Sequence, residues 1–332
     1  MRTLLAGVLM MTLGARAREI SIVIRGEDGH GLPGAEVEAI LTPREDPRLA
    51  SVVTRTGVTD GSGRFRFAAE DRLILTRVRA KQTGCFSADV DHRHGLGRAT
   101  QPTELALTLP RMTEGVPLHY RDVSLVGLPS GRRIGFDAEA ADAVAPWGKG
   151  RVTDWEFLIE AHQVGWLESP EALAELRRTP EGRRMDDQEW AETYGRFRGT
   201  LLVSLPKKRD GLRETPAFWP YCRLKMPALA PTEGYAPEMI FAFDTLPTAA
   251  TSSDLTGYYL RLRAQDDDGK TSAHYAKIHG RIEAGPGRVA FRFYYNPRAD
   301  DRRLAFAPGR NLLRPGPAAT PIEQARYETS QP

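Results

Sequence analysis

His92 and His94 stand one residue apart, and in an extended segment their rings point the same way. That geometry suits a transition metal such as zinc, with Asp89 or Asp91 nearby as a third donor. A regular strand would place both aspartates on the face opposite the imidazoles, so an ordinary solvated loop is the competing reading. Asp266-Asp267-Asp268-Gly269 offers hard oxygens for calcium, but it lacks the alternating ligands and distant glutamate of a calcium loop. It reads equally as the charged tip of a hairpin. Asp137, Asp142, Asp154 and Glu156 supply carboxylates for glycoside hydrolysis, which needs two of them about 5–10 Å apart across a cleft. Trp147, Trp155, Trp166, Trp190 and Trp219 all fall in the second half of the chain. A flat indole on a β-sandwich can stack on a sugar ring or pack into a core. Trp147 lies in a Pro/Gly loop and Trp219 sits between Phe218 and Pro220, so these two are the candidate ligand contacts.

Standard catalytic motifs do not emerge. Gly61-Ser62-Gly63 fits a turn better than a nucleophile elbow. Gly269-Lys270-Thr271 lacks the earlier glycine of a phosphate-cradling loop, and HExxH does not occur. We therefore expect no catalytic residues, no cofactor and no metal. Lys+Arg total 46 against Asp+Glu 43, too even a balance for a nucleic-acid partner.

These residues must be positioned by strands. Ile20 to Ile24 is β-branched and alternating, and Ala35 to Leu41 alternates again. Arg64-Phe65-Arg66-Phe67 puts both rings on one face. Leu73 to Ala80 and Glu104 to Leu109 read as further strands. The second half predicts strands over 119–126, 151–161, 199–205, 221–226, 238–243, 257–265, 273–283, 288–296 and 303–306. Such spacing predicts a sandwich or jelly roll. One stretch breaks the pattern. Ser169-Pro170-Glu171 is a helix start, and Asp186 to Glu189 resembles a capping box before Trp190 and Tyr194. A two-helix insertion is expected over about 169–195.

Gly26…Leu32-Pro33-Gly34-Ala35-x-Val37 followed by Thr59-Asp60-x-x-Gly63-x-Phe65-x-Phe67 resembles the carboxypeptidase regulatory-like, or transthyretin-like, β-sandwich family. Pro33-Gly34 turns the chain into the second strand, and Asp60 and Gly63 shape a hairpin that aims both phenylalanines inward. The resemblance implies a non-catalytic role in folding, spacing or binding and carries no catalytic residues. In the second module, Gly135-Phe136-Asp137, Ala145 to Gly150, Tyr275-Ala276-Lys277-Ile278-His279-Gly280 and Tyr294-Tyr295-Asn296-Pro297 resemble segments of exported bacterial proteins of unknown function.

The beginning of the chain predicts export. Arg2 precedes the uncharged run Thr3 to Leu13, and Ala15-Arg16-Ala17 matches a signal-peptidase site. Cleavage after Ala17 takes the net charge from +3 to +1. The run falls short of the ~20 residues that span a bilayer, so no transmembrane anchor is expected. Cys85 and Cys222 lie in different candidate modules and would either pair in an oxidising compartment or stand as separate thiols.

The expected architecture is mostly β. It comprises a signal peptide over 1–17, a transthyretin-like, Ig-like sandwich over 18–111 and a linker over 112–118. A larger sandwich or jelly roll follows over 119–315, with a flexible tail over 316–332. The expected function is that of an exported, periplasmic or extracellular, non-enzymatic binding or structural accessory protein with a protein or glycan partner. The alternative is a polysaccharide- or peptide-active hydrolase or its accessory subunit.

Overall fold

The computed structural model describes residues 17–43, 52–91, 104–244, 256–267 and 270–313. The leader up to Arg16, His92, His94, Asp268, Gly269 and the tail from residue 314 lie outside them. The chain is mostly β and forms two compact units. The described residues up to Met112, together with Tyr221–Arg223, make the first, and the others make the second.

The first unit contains β1 (Ala17–Arg25), β2 (Glu36–Pro43), β3 (Val53–Val58), β4 (Arg64–Glu70), β5 (Leu73–Lys81), β6 (Ala88–Asp91) and β7 (Glu104–Thr108). They form two sheets, ordered β4-β1-β7 and β3-β2-β5-β6. Ile20, Ile22 and Ile24 of β1 share a core with Val37, Ala39 and Leu41 of β2 and with Leu75, Val78 and Ala80 of β5. Period-two alternation dictates this, since successive side chains leave a strand on opposite faces. Ala35 and Val37 are buried as expected, whereas Phe65 and Phe67 are only partly buried and pack against this core with their rings 5.5 Å apart.

The turn before β4 is closely bonded. Asp60 Oδ1 accepts from Ser62 N at 2.8 Å and Arg64 N at 3.0 Å, while Thr59 Oγ1 donates to Leu32 O at 2.6 Å and accepts from Ala35 N at 2.9 Å. Gly63 sits at φ +76°, and a β-carbon there would lie 2.5 Å from Ile24 O and 2.6 Å from Leu32 N. Gly63→Ala is therefore expected to cost about 2 kcal/mol or more in urea unfolding of this unit. Gly61→Ala, in open space, should cost well under about 1 kcal/mol. Equal losses at the two positions would refute this account of the turn.

The sequence suggested a strand of the second module over 221–226. The structure puts Tyr221–Arg223 in the first unit instead. Cys222 bridges Ala88, Asp89 N donates to Tyr221 O at 2.9 Å, and Arg223 N donates to Ser87 O at 3.1 Å. The edge of β6 offers backbone donors and acceptors, and this segment satisfies them. Cys85 and Cys222 thus belong to one unit rather than two, and no disulfide joins them.

The second unit contains β8 (Val116–Leu125), β9 (Arg133–Asp137), β10 (Asp142–Ala143), β11 (Trp155–Trp166), α1 (Pro170–Leu176), α2 (Pro180–Arg184), α3 (Asp187–Tyr194), β12 (Gly195–Ser204), β13 (Gly211–Glu214), β14 (Glu238–Asp244), β15 (Gly257–Asp267), β16 (Lys270–Gly285), β17 (Arg288–Asn296) and β18 (Phe306–Asn311). A five-stranded sheet, β10-β9-β11-β12-β14, packs on a six-stranded one, β13-β15-β16-β17-β8-β18. Phe136 stacks on Trp155 at 4.3 Å between them, with Phe157, Phe291 and Phe293 around the pair. This is a sandwich. The helices interrupt the connection between β11 and β12, which pair antiparallel up to Trp166 and Gly195. Ser169 and Thr179 cap α1 and α2 through Ala172 N and Gly182 N. The short turn α2 is additional to the two helices expected.

The six-stranded sheet is covered over part of its second face as well. There Leu118, Tyr259, Tyr275 and Tyr294 pack with Phe306 of β18 and are covered by Met226, Ala230 and Leu304. Tyr259 anchors the cover by donating to Pro227 O at 2.7 Å.

Candidate functional site

The acids singled out in the sequence are committed to local structure. Asp154 is 0% exposed and accepts from Ala138 N at 2.9 Å. Arg263 grips it in bidentate fashion, Nε to Oδ1 at 2.8 Å and Nη2 to Oδ2 at 3.0 Å, and reaches Glu139 Oε2 at 3.0 Å. Arg263 lies at φ 54° where the β15–β16 register shifts, so the strand irregularity aims the guanidinium inward. Asp210 holds that irregularity, accepting from Arg263 N at 2.9 Å and Ala264 N at 2.7 Å. Burial pushes the Asp210 carboxyl up, and the bond to Asp154 holds the Arg263 guanidinium well up.

Asp137 accepts from the amides of Glu139, Ala140, Arg151 and Val152 at 2.9–3.3 Å. Burial opposes its charge, but these four donors prevail and hold it below the usual carboxylate range. Asp137 Oδ1 also lies 3.6 Å from Arg263. Asp137 and Asp154 therefore meet around one guanidinium rather than across a cleft. Asp142 accepts from Ala143 N at 2.9 Å, and Glu156 pairs with Arg133 at 3.1 Å. Asp266 pairs with Arg209 and accepts from Thr271 Oγ1 at 2.9 Å. Among the described residues, no three His, Cys, Asp or Glu side chains converge as a metal site.

The tryptophans separate by role. Trp155 is core, and Trp190 packs on Tyr194 at 4.5 Å beneath the Arg177 guanidinium. Trp147 is 39% exposed on a tight loop. There Trp147 N donates to Val144 O at 3.1 Å, Gly150 N to Ala143 O at 2.8 Å and Lys149 N to Asp142 Oδ2 at 3.4 Å. Trp219 is half-buried, its backbone N donating to Lys225 O at 2.7 Å.

Sequence reasoning missed a polar cluster on the second face of the six-stranded sheet. Ala276 and Ile278 of β16 enter the sandwich core, so Tyr275, Lys277 and His279 point the other way. The register aligns Tyr259, Lys277, Tyr294 and Tyr120 in one row and His279, Arg292 and Asp122 in the next. Lys277 is 1% exposed, with Nζ 4.8 Å from the Tyr294 ring centroid, and it has no ion pair among the described residues. Burial pulls its amine down to about 7. His279 is 7% exposed and stands 4.6 Å from the Tyr294 ring. Burial, then the charges of Lys277, Arg292 and Lys225, hold its imidazole well below the usual range. Among the described residues, neither His279 ring nitrogen nor the Tyr294 hydroxyl has a hydrogen-bond partner. A groove of about 370 Å³ runs past Asp122, His279, Arg281, Glu283 and Arg292. The alternation Tyr275-x-Lys277-x-His279 was visible in the sequence, but alternation alone assigns such residues to solvent.

No protein-family model matches the chain, and no curated protein matches it. Among solved structures it is similar to a streptococcal ancillary pilin, at 13% identity over 46% of this chain and 56% of that one, with a TM-score of 0.20. It is also similar to a shaft pilin of Lactobacillus rhamnosus GG, at 10% identity over 78% and 91% of the two chains, with a TM-score of 0.20. The chain thus spans just over half the length of the streptococcal pilin. No helix among the described residues is long and apolar enough to cross a membrane.

Proposed function

We propose that this chain is an exported, non-enzymatic binding or structural accessory protein of the bacterial envelope or exterior. Its first sandwich serves as the spacer or docking module implied by the carboxypeptidase regulatory-like resemblance. Its second sandwich recognises a protein or glycan partner. One observation carries this reading: Asp154 and Asp137 are engaged by the Arg263 clasp and by backbone amides, while Trp147 stands exposed on a hydrogen-bonded loop. A rigid aromatic presented this way binds at little entropic cost. Trp219, half-buried, would serve as a secondary contact.

The test is a binding screen of the purified chain against glycans and envelope extracts. Trp147→Ala should weaken the partner so found by about tenfold or more with an unchanged unfolding midpoint. Turnover of a defined polysaccharide or peptide by the second unit would overturn the proposal, as would full binding by Trp147→Ala.

A further inference from the structure

We propose that the groove between His279 and Arg292 is a binding site for a small oxyanion, a carboxylate or phosphate carried on a body no larger than a monosaccharide. This does not rest on the partner reading above, because it concerns a different surface and a ligand that can be supplied alone.

Buried polar atoms in folded proteins nearly always have partners, so an unpartnered group marks a place where something else belongs. Among the described residues, the two ring nitrogens of His279 and the hydroxyl of Tyr294 are three such atoms, in neighbouring residues whose ring centroids lie 4.6 Å apart, and of the two residues His279 lines the groove. It lines this open groove at 7% exposure, with its two ring nitrogens almost wholly screened from solvent. The volume, about 370 Å³, is at the small end for ligand pockets.

The charges surrounding His279 set the sign of the ligand. Arg292 on β17 and Lys225 on the covering segment act on it as cations, and Lys277 on the same strand joins them as its amine gains a proton below about pH 7. Arg281 of β16 joins them at the groove wall. Asp122 of β8 is the facing carboxylate, and it is already engaged by Arg292 Nε at 2.9 Å and by the Tyr120 hydroxyl at 3.1 Å. Glu283 is answered by Arg281 at 3.6 Å and Arg288 at 3.9 Å. The Nε bond is the only hydrogen bond of the Arg292 fork among the described residues, which leaves its Nη groups to meet an oxyanion in the planar geometry guanidinium favours. An anion seated there faces His279, whose proton it stabilises. Binding is therefore coupled to proton uptake.

The experiment is isothermal titration of the full chain with glucuronate, glucose 6-phosphate and glucose. Titrations run from pH 8 to pH 5, in buffers of differing ionisation enthalpy. Either charged sugar should bind while glucose does not, and which one binds tells a carboxylate ligand from a phosphate one. For glucuronate, ionised throughout this range, affinity should rise as pH falls, approaching tenfold per pH unit, with up to about one proton taken up; for the phosphate, whose own second ionisation lies at about pH 6, the comparison is made above pH 7. Arg292→Gln and His279→Gln should each weaken binding about tenfold or more. The proton-uptake measurement uses the unmutated protein, so the test stands even if a variant misfolds. Equal binding of glucose, binding without proton uptake, or no binding of either charged sugar at about 10 mM, far above ordinary site affinities, would each overturn the proposal.

Discussion

Lys277→Met stabilises the second unit. The lysine is wholly buried, has no counter-ion among the described residues and titrates at about 7 rather than its ordinary 10.5. Each unit of that difference corresponds to about 1.4 kcal/mol, so the depressed amine costs the fold up to about 5 kcal/mol. The sign follows from proton binding. Between the two values the unfolded chain holds a proton that the folded chain has released, so stability rises with pH. The penalty is complete below pH 7 and fades as pH climbs toward 10.5. Methionine fills a similar volume and carries no charge. Urea unfolding at pH 6, 8 and 10 should show the variant ahead by about 3–5 kcal/mol at pH 6, with the gap closing steadily by pH 10. A variant less stable than the parent at pH 6 would mean that a partner compensates Lys277, contrary to this account.

The opposite effect is expected at the other end of the same unit. Arg263→Ala removes the bidentate partner of Asp154, whose side chain has no exposure to water. Among the described residues, Lys207 at 3.8 Å is then the side-chain cation left within ion-pair distance, with Ala138 N as a backbone donor. Breaking a buried pair from one side typically costs about 3–5 kcal/mol, because an uncompensated charge stays behind. Removing both charges, as in Arg263→Ala with Asp154→Asn, should recover a large part of that loss. The double-variant cycle should give a coupling of about 2 kcal/mol or more. Additive losses from the two single variants would show that the clasp contributes no pairwise energy.

Much of the fold was legible because strand signals are local. Arg288 to Asn296 was read to its ends, since its alternation and its flanking turns stand in the sequence itself. Five short strands were not legible. β3, β6, β9, β10 and β13 hold between two and six residues, too few for a period to stand out. Tyr221–Arg223 was assigned to the wrong unit because its pairing with Ala88 spans more than a hundred residues of chain. The acids drew attention for their type, yet Asp154 could not be recognised as a clasp without Arg263, which comes from another strand of the opposite sheet.

The amino-acid sequence by itself determined that the chain folds as layered β-structure with a helical interruption between β11 and β12. Side-chain alternation, turn glycines and helix caps act over a few residues and need no distant partner. Only the tertiary structure decided which face of the six-stranded sheet meets water. Alternation names two faces, and part of the second is dry here because Met226, Ala230 and Leu304 cover it, while Asp122, Arg281 and Arg292 on the same face stay exposed. That cover turns Lys277 and His279 from surface residues into buried bases, and desolvation, a property of the assembled layers, gives them their chemistry.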